Sequence, residues 1–278
     1  MKEPASRARP RVVRAPSSLL LALLAALAPA CGGPRVPLPK TDKRYEFVQG
    51  RTRFEHHDWV EAQQHFKRFL DSSPGEALAD SAQFLVGECL FHEKSYAEAA
   101  VEFAIVGREY PRSDLDDDAA YAECLCYFEQ MRPAQLDPTF AARARTCLNE
   151  FLLRYPDAPL RDDAEKHLTR IADLLAEKEL RLGVMFCKMK RPAAALVYLQ
   201  GILEQYPSSK WVPQALLWIG RSDELLDKPA EAASAYRKLL EVFPKDPAAD
   251  EARTRLRDLL LRHPELSAVS EGAPPAKP

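Results

Sequence analysis

The sequence contains little glycine, almost no net charge and no long hydrophobic run, and each shortage excludes a class of protein. Only 10 of the 278 residues are glycine, and none of them belongs to a glycine-rich loop that cradles phosphates. The net charge is −2, and beyond residue 30 the chain holds 34 basic and 40 acidic side chains, which gives no electrostatic reason to bind nucleic acid. The apolar stretch from Leu19 to Leu27 is too short to span a bilayer.

Motifs for catalysis and for metal binding are also missing. The sequence shows no Ser/His/Asp or Cys/His motif and no paired carboxylates suited to general acid and base roles. The acidic run SDLDDDAAYA (113–122) lacks the glycine and the terminal glutamate of a calcium loop, and a helix N-terminus explains it better. His56, His57 and His65 lack the geometry of a metal site. We therefore predict a protein without catalytic residues, metal or cofactor.

The N-terminus has the organisation of a secretory signal. Five basic residues precede the apolar stretch, and small residues follow it up to Cys31. Because Leu27-Ala28-Pro29-Ala30 stands directly before this cysteine, the segment resembles a bacterial lipoprotein signal. The resemblance implies that residues 1–30 are removed, that Cys31 carries acyl chains such as palmitate, and that residues 31–41 form a flexible tether. Gly32 then implies transfer to the periplasmic face of the outer membrane. An ordinary signal peptide with an unrelated cysteine is the alternative.

Five cysteines remain after Cys31, and an odd number in an oxidising compartment leaves at least one thiol unpaired. All five lie in apolar helical contexts, so we expect small buried hydrophobic side chains. A bridge between Cys124 and Cys147, on neighbouring helices, is the alternative. Cys124 and Cys126 point to different sides of a helix and make a poor metal pair. The five are Cys89, Cys124, Cys126, Cys147 and Cys187.

An internal repeat runs through the remainder of the chain. Five prolines end hydrophobic segments at spacings of 37, 45, 51 and 37 residues. An alanine stands twelve residues before each proline, a large apolar residue stands eight before it, and in four copies a glycine stands 24 before it. The prolines are Pro74, Pro111, Pro156, Pro207 and Pro244; the alanines are Ala62, Ala99, Ala144, Ala195 and Ala232; the large residues are Phe66, Phe103, Leu148, Leu199 and Tyr236; the glycines are Gly50, Gly87, Gly183 and Gly220.

Each copy predicts a pair of helices. A glycine on the first helix and an alanine on the second let the two backbones approach closely, so we expect Gly220 to lie opposite Ala232. The large residue four positions after the alanine is predicted to pack into the next helix. Proline cannot continue a helix and ends each copy. Stacked copies bury the apolar faces that single pairs leave open.

This Gly-(x11)-Ala-(x3)-aromatic-(x7)-Pro pattern resembles the tetratricopeptide repeat. The resemblance implies an all-α fold of five helix pairs stacked as a superhelix, with a C-terminal capping helix. The third repeat lacks the glycine and carries an insertion at 130–140, and the fourth opens with a long amphipathic helix at about 160–189. The predicted repeats are 42–74, 76–111, 114–156, 160–207 and 209–244, followed by a cap at 248–262 and a disordered tail at 263–278.

The third and fourth repeats narrow the family further. The segments FLLRYPDAPL (151–160), LAEKEL (175–180) and RPAAALVYLQGILEQYP (191–207) are similar to the BamD family, the lipoproteins of the outer-membrane β-barrel assembly machinery. The resemblance covers about 42–262. It implies a non-enzymatic periplasmic scaffold that binds the periplasmic domains of a BamA-like barrel protein, other subunits of the machinery and unfolded barrel precursors.

The sequence departs from the BamD family pattern at one position, and one alternative function remains. Tyr198 stands where the family often carries arginine in the second helix of the fourth repeat, which bears on a polar contact to a partner rather than on the fold. The alternative function is another periplasmic tetratricopeptide lipoprotein, an adaptor that serves cell division or the envelope and peptidoglycan machinery.

A candidate peptide-binding surface lies in the first two repeats. Phenylalanines occur three residues before and four residues after each glycine, and arginines flank the first pair. Aromatic pockets beside arginine would suit a precursor that ends in an aromatic residue with a free carboxylate, because arginine can hold the carboxylate bidentately. The alternative is ordinary core packing, since these positions form one helical stripe. The candidates are Phe47, Phe54, Phe84, Phe91, Arg44 and Arg51.

Overall fold

The computed structural model describes residues 39–73, 75–131 and 138–266. Within these ranges eleven α-helices follow one another and no strand occurs, so the predicted all-α class is confirmed. The helices are α1 (Tyr45–Glu55), α2 (Trp59–Ser72), α3 (Ala79–His92), α4 (Tyr96–Glu109), α5 (Asp116–Glu129), α6 (Thr139–Arg154), α7 (Arg161–Lys188), α8 (Pro192–Gln205), α9 (Val212–Leu225), α10 (Pro229–Val242) and α11 (Pro247–Arg262).

The helices pair in the order that the repeat predicts, α1 with α2 through α9 with α10, and α11 follows as the last described helix. Each second helix ends shortly before its proline: α4 ends at Glu109, and Pro111 follows after a single residue. That residue, Tyr110, has left the helical conformation with φ −123° and ψ 52°. The steric demand of the proline ring on its predecessor explains this geometry.

Each repeat glycine lies against the large side chain sixteen residues later, and in the fourth repeat a Cβ on Gly183 would also stand 3.4 Å from the Ala195 carbonyl oxygen, the predicted close approach of glycine and alanine. A Cβ on Gly50 would stand 2.7 Å from the ring of Phe66, and one on Gly87 would stand 2.7 Å from the ring of Phe103. On Gly183 it would stand 2.6 Å from Leu199, and the ring of Tyr236 covers Gly220 in the same way.

The large residues therefore pack against the glycine of their own repeat, a contact that the sequence did not predict. The repeat alanines are also needed, because each has no solvent-exposed surface and a larger side chain would meet its neighbours directly. They are Ala62, Ala99, Ala144, Ala195 and Ala232.

The turn inside a repeat uses a left-handed residue at a constant position. Seven residues after each glycine the chain adopts φ between 55° and 63°, a conformation that non-glycine residues rarely take. None of the four positions is a glycine, so no glycine signal marks this turn in the sequence. The residues are His57, Lys94, Lys190 and Asp227.

A serine in two of the connections holds one repeat to the next. The Ser113 hydroxyl donates to Asp80 Oδ2 on α3 at 2.7 Å and accepts the Leu115 backbone N–H just before α5. The Ser209 hydroxyl likewise donates to Asp173 Oδ1 on α7 at 2.8 Å. Each serine thus closes a turn just before one helix and ties that turn to the first helix of the preceding repeat.

The helices group into two compact units, and the boundary between them falls inside α7, after Ala164. The described part of the first unit contains α1 to α6 and the first residues of α7; the second contains the rest of α7 and α8 to α11. The predicted long helix is confirmed: α7 has 28 residues and is about 42 Å long at 1.5 Å per residue.

Several predicted segments lie outside the described residues. These are the signal, Cys31, most of the tether, Pro74, residues 132–137 of the insertion, and the chain beyond residue 266. Residues 264–266, which the sequence assigned to a disordered tail, form a short 3₁₀ turn. Leu266 is buried there, and its carbonyl accepts a hydrogen bond from Arg237 at 2.7 Å.

Of the five described cysteines, two form a disulfide and three are buried free thiols, so each of the two predicted alternatives holds for some of them. Cys124 on α5 and Cys147 on α6 form a disulfide, so the alternative of a bridge is confirmed for this pair. Cys89, Cys126 and Cys187 are buried free thiols, as expected of small hydrophobic side chains. Burial is the main reason that the pKa of the Cys89 thiol rises to about 12, which leaves it protonated and unreactive at neutral pH.

Candidate functional site

Two of the four candidate phenylalanines are core residues, so the predicted alternative of ordinary core packing holds for these two. Phe47 is 6% exposed, and its ring centroid lies 5.7 Å from that of Phe66 and 5.4 Å from that of Phe69. Phe84 is 1% exposed and packs at 5.3 Å against Phe103. Both rings fill the space between the helices of their own repeat.

The other two phenylalanines are partly exposed and belong to an aromatic cluster at the turns of repeats one and two. Phe54 packs edge-on against Trp59, with centroids 4.9 Å apart, and Phe91 packs edge-on against Tyr96 at 5.1 Å. Trp59 stacks flat on His92 at 4.2 Å and thereby links the two repeats. The cluster consists of Phe54, His57, Trp59, Phe91, His92 and Tyr96.

Sequence reasoning missed Trp59 and His92, although each lies within five residues of a candidate phenylalanine. Burial lowers the pKa of His92, and the nearby His57 lowers it further. Both effects favour the neutral imidazole, so the Trp59–His92 stack presents an uncharged aromatic surface at neutral pH. Such a surface can contact an apolar or aromatic side chain.

The two candidate arginines lie seven residues apart at the start and middle of α1 and are exposed to solvent. Arg44 pairs with Asp42 at 3.4 Å, and Arg51 pairs with Glu55 at 3.5 Å. The Arg44 backbone N–H, and then its guanidinium, lower the pKa of Asp42. Exposed pairs of this kind are weak, so either guanidinium can exchange its partner for the carboxylate of a ligand.

Among the described residues of the first unit, Glu88 is the one buried acidic side chain, and the sequence did not predict it. It lies on α3, is 5% exposed and directly follows Gly87. Burial raises the pKa of its carboxyl to about 8, and Asp118 on α5 adds to the shift. No apolar pattern marks this position, because a glutamate on a helix is ordinarily solvated.

The remaining polar candidates have structural roles. Asp116 begins α5, and its Oδ2 accepts hydrogen bonds from Tyr155 at 2.7 Å and from Arg154 at 3.2 Å. His65 Nδ1 lies 2.7 Å from Glu46 Oε2. Across the three described ranges, no group of three His, Cys, Asp or Glu side chains has the arrangement of a metal site.

Tyr198, the departure from the family pattern, is part of a stack between α7 and α8. Its ring lies 5.3 Å from that of Phe186, with 8° between the planes. The side chain at this position therefore contributes aromatic packing rather than a charged group.

Comparison with known proteins supplies the context for these surfaces. The family model described as YfiO, outer membrane lipoprotein, matches residues 39–239, from before α1 into α10 and across both units. This chain belongs to the YfiO family. The predicted resemblance to BamD-type lipoproteins is thereby confirmed.

Individual relatives of this YfiO-family chain agree. The outer membrane protein assembly factor BamD of Caulobacter vibrioides is 24% identical over 255 residues, which cover 90% of this chain and 83% of that protein. BamD of Neisseria meningitidis is 26% identical over 166 residues, covering 56% of this chain and 61% of that protein. Among solved structures, a thermophilic tetratricopeptide-repeat protein of Thermus thermophilus matches with a TM-score of 0.34 and 16% identity, covering 79% of this chain and 99% of that one.

No helix in the described part of this family member is both long enough and apolar enough to cross a membrane.

Proposed function

We propose that the chain is a non-enzymatic scaffold of the outer-membrane β-barrel assembly machinery, anchored to the outer membrane through lipid on Cys31. The match of the family model to residues 39–239 carries this proposal, because it includes most of both helical units. The names of the relatives, which are outer membrane protein assembly factors, support it. Stacked helix pairs expose long surfaces for protein partners, which suits a scaffold.

The proposed partners are the periplasmic domains of a BamA-like barrel protein, other subunits of the machinery and unfolded barrel precursors. A pull-down from detergent-solubilised outer membranes, with this chain as bait, tests the proposal. We expect the BamA-like barrel protein to co-purify, and a Cys31→Ala variant to be absent from the membrane fraction. Recovery of only division or peptidoglycan proteins would overturn the proposed role and favour the alternative adaptor.

We further propose that the precursor's C-terminus binds at α1 and α3, between Phe54, Phe91 and the guanidinium groups of Arg44 and Arg51. Two observations support this: both rings are partly exposed, and within the described residues the ion pairs of the two arginines are made with carboxylates two and four positions away in the chain. Phe47 and Phe84, which are buried, hold the helices in place beneath this surface.

Replacing Arg44 and Arg51 together by alanine should weaken binding of a peptide that ends in phenylalanine with a free carboxylate. Loss of a charge-assisted hydrogen bond at an exposed site predicts about a ten-fold rise in Kd, measured by fluorescence anisotropy. Arg108→Ala, which removes an exposed arginine from α4, is the matched control and should leave Kd unchanged. Equal binding by the double variant, or equal binding of the amidated peptide to the unaltered chain, would contradict the site.

A further inference from the structure

One side of the C-terminal half of α7 exposes apolar side chains in a continuous groove. Leu180 forms its buried floor, while Met185 and Met189 are 43% and 55% exposed. The residues recur at the three- and four-residue spacing of a single helix face, so they form one stripe along α7. We call this stripe the α7 groove; it consists of Leu180, Arg181, Val184, Met185, Lys188 and Met189.

Equivalent positions in other repeats are either buried or polar. Met185 stands two residues after its repeat glycine, and the residues two after Gly87 and Gly220 are Cys89 and Ser222, each fully buried. In repeat one, which begins the first unit, the corresponding Thr52 is exposed and polar. The exposed end of a helical stack is ordinarily polar, because an apolar end favours association. On α7, in contrast, the side chain at this position, Met185, is both exposed and apolar.

The side chains that line the groove suit a helical partner. Methionine is flexible and polarizable, so its side chain adapts to the surface of an incoming helix. A contiguous exposed apolar face with a polar rim is the usual mark of a protein interaction surface. The side chains at i, i+3 and i+4 positions on α7 also form ridges, and the side chains of a second helix can pack into the grooves between these ridges.

The rim of the groove is cationic. Lys188 is exposed and forms no ion pair within the described residues, and Lys190 and Arg191, both exposed, follow directly after α7. Arg181 is paired with Glu177 one turn earlier on the same helix. Positive charge without nearby acidic partners attracts a negatively charged surface and sets the orientation in which it docks.

The same chain contains a comparable contact between two helices. The first helix of repeat five, α9, contacts α11, and there Arg221 pairs with Glu251 across the two helices at 3.4 Å. Ala252, next to Glu251, is fully buried in that contact region. The contact of α11 with α9 thus shows that the first helix of a repeat can pack against an amphipathic helix with a carboxylate at the edge of its apolar face.

We propose that the α7 groove docks an amphipathic helix of a partner protein, with the apolar face of that helix on Met185 and Met189 and its carboxylates facing Lys188. This contact rests on the proposed scaffold role and adds a second surface to it, separate from the aromatic cluster and arginines of the first unit.

Photo-crosslinking in the cell envelope of the native bacterium tests the contact in the full, membrane-anchored chain. A photoreactive phenylalanine is placed at position 185 or 189 and, as matched controls, at Val242 or Leu261, which are exposed apolar residues elsewhere in the second unit. The chain segment attached to each adduct is then identified by mass spectrometry. We expect adducts at 185 and 189 to exceed those at the controls and to carry an amphipathic helical segment with Asp or Glu at its edge.

A charge reversal separates this contact from simple apolar adhesion. Lys188→Glu should reduce the adduct by about five-fold, because like charges would then face each other, whereas Lys238→Glu on α10 should leave it unchanged. Adducts to lipid alone, adducts to segments without acidic residues, adducts no stronger than at the controls, or insensitivity to Lys188→Glu would each overturn the proposal. The pull-down of the BamA-like protein is scored separately, so failure of the proposed function and failure of this contact can be told apart.

Discussion

Replacing Gly220 by alanine is expected to destabilise the second unit, even though alanine is the better helix former. The new Cβ would meet three ring atoms of Tyr236, whose side chain is fully buried. The ring has little room to withdraw, because its hydroxyl donates to Glu224 Oε1 at 2.5 Å. Overpacking typically costs about 1–3 kcal/mol, and the overlap at Gly220, the tightest among the repeat glycines, corresponds to the upper end of this range. After a gain of roughly 1 kcal/mol in helix propensity we expect a net loss of about 2 kcal/mol.

Gly201→Ala provides the matched control in the same unit. Gly201 lies in α8, and the nearest atom to its added Cβ is the flexible Gln205 Nε2 at 4.0 Å. With no overlap, only the helix propensity changes, and the variant should gain about 0.5–1 kcal/mol. Urea unfolding followed by circular dichroism measures both changes. A Gly220→Ala variant as stable as the parent chain would disprove the tight contact with Tyr236.

Replacing Glu88 by glutamine is expected to stabilise the protein, and to do so only above acidic pH. In the folded chain, burial raises the pKa of the Glu88 carboxyl to about 8, and Asp118 adds to this shift. In the unfolded chain the glutamate has its ordinary pKa. Between these two values the unfolded state loses a proton that the folded state keeps, so the wild-type chain loses stability as pH rises through this window. Glutamine has no proton to lose and is spared this loss.

The difference between the two chains should therefore be small at pH 4, increase up to about pH 8 and stay constant beyond it. At pH 8 the shift corresponds to an advantage for glutamine on the order of 3–5 kcal/mol, since each pKa unit is worth about 1.4 kcal/mol. Unfolding free energies measured at several pH values in parent and variant give this difference directly. The other ionisable groups near α3 and α5, which include Cys89, Cys126 and Asp118, are common to both chains and largely cancel.

Glu98→Gln on α4 is the matched control for Glu88→Gln. Glu98 is exposed, so its charge is solvated in the folded and the unfolded chain alike. Because Glu98 lies in the first turn of α4, where a carboxylate favours the helix N-terminus, this variant should be no more stable than the parent chain at any pH. A constant advantage of Glu88→Gln at every pH would show that Glu88 is not a buried acid, because the effect would then not depend on ionisation.

The repeat could be found from the sequence because its marks are local. Proline ends a helix through its own ring, and α4 stops just before Pro111 for that reason. Glycines and alanines at constant spacing mark close helix contacts, and the positions of all ten paired helices follow from them. The spacing could not reveal which side chain meets which. The atoms nearest to a Cβ on Gly50 belong to the ring of Phe66, because a ring reaches across the helix interface while the methyl group of Ala62 stays near its own backbone.

The candidate site was predictable only in part for the same reason. Phe47 and Phe54 lie on one stripe of α1, yet Phe47 is buried and Phe54 is partly exposed. The difference arises because Phe69 on α2 covers the one ring, while the other lies at the turn, next to Trp59 and the second repeat. Periodicity reports which face a residue occupies, but it does not report how far the neighbouring helix extends over that face.

The sequence by itself determined the all-α class, the order of the helix pairs, the long α7 and membership of a family of outer membrane lipoproteins. These properties follow from residues close together in the chain, such as prolines, small residues at fixed spacing and contiguous motifs. Only the tertiary structure decided that Cys124 joins Cys147, that Glu88 is buried beside Asp118, and that the methionines of α7 remain exposed. Each of these depends on which residues, distant in the chain, come to lie on one another, and burial is a property of that contact rather than of the residue.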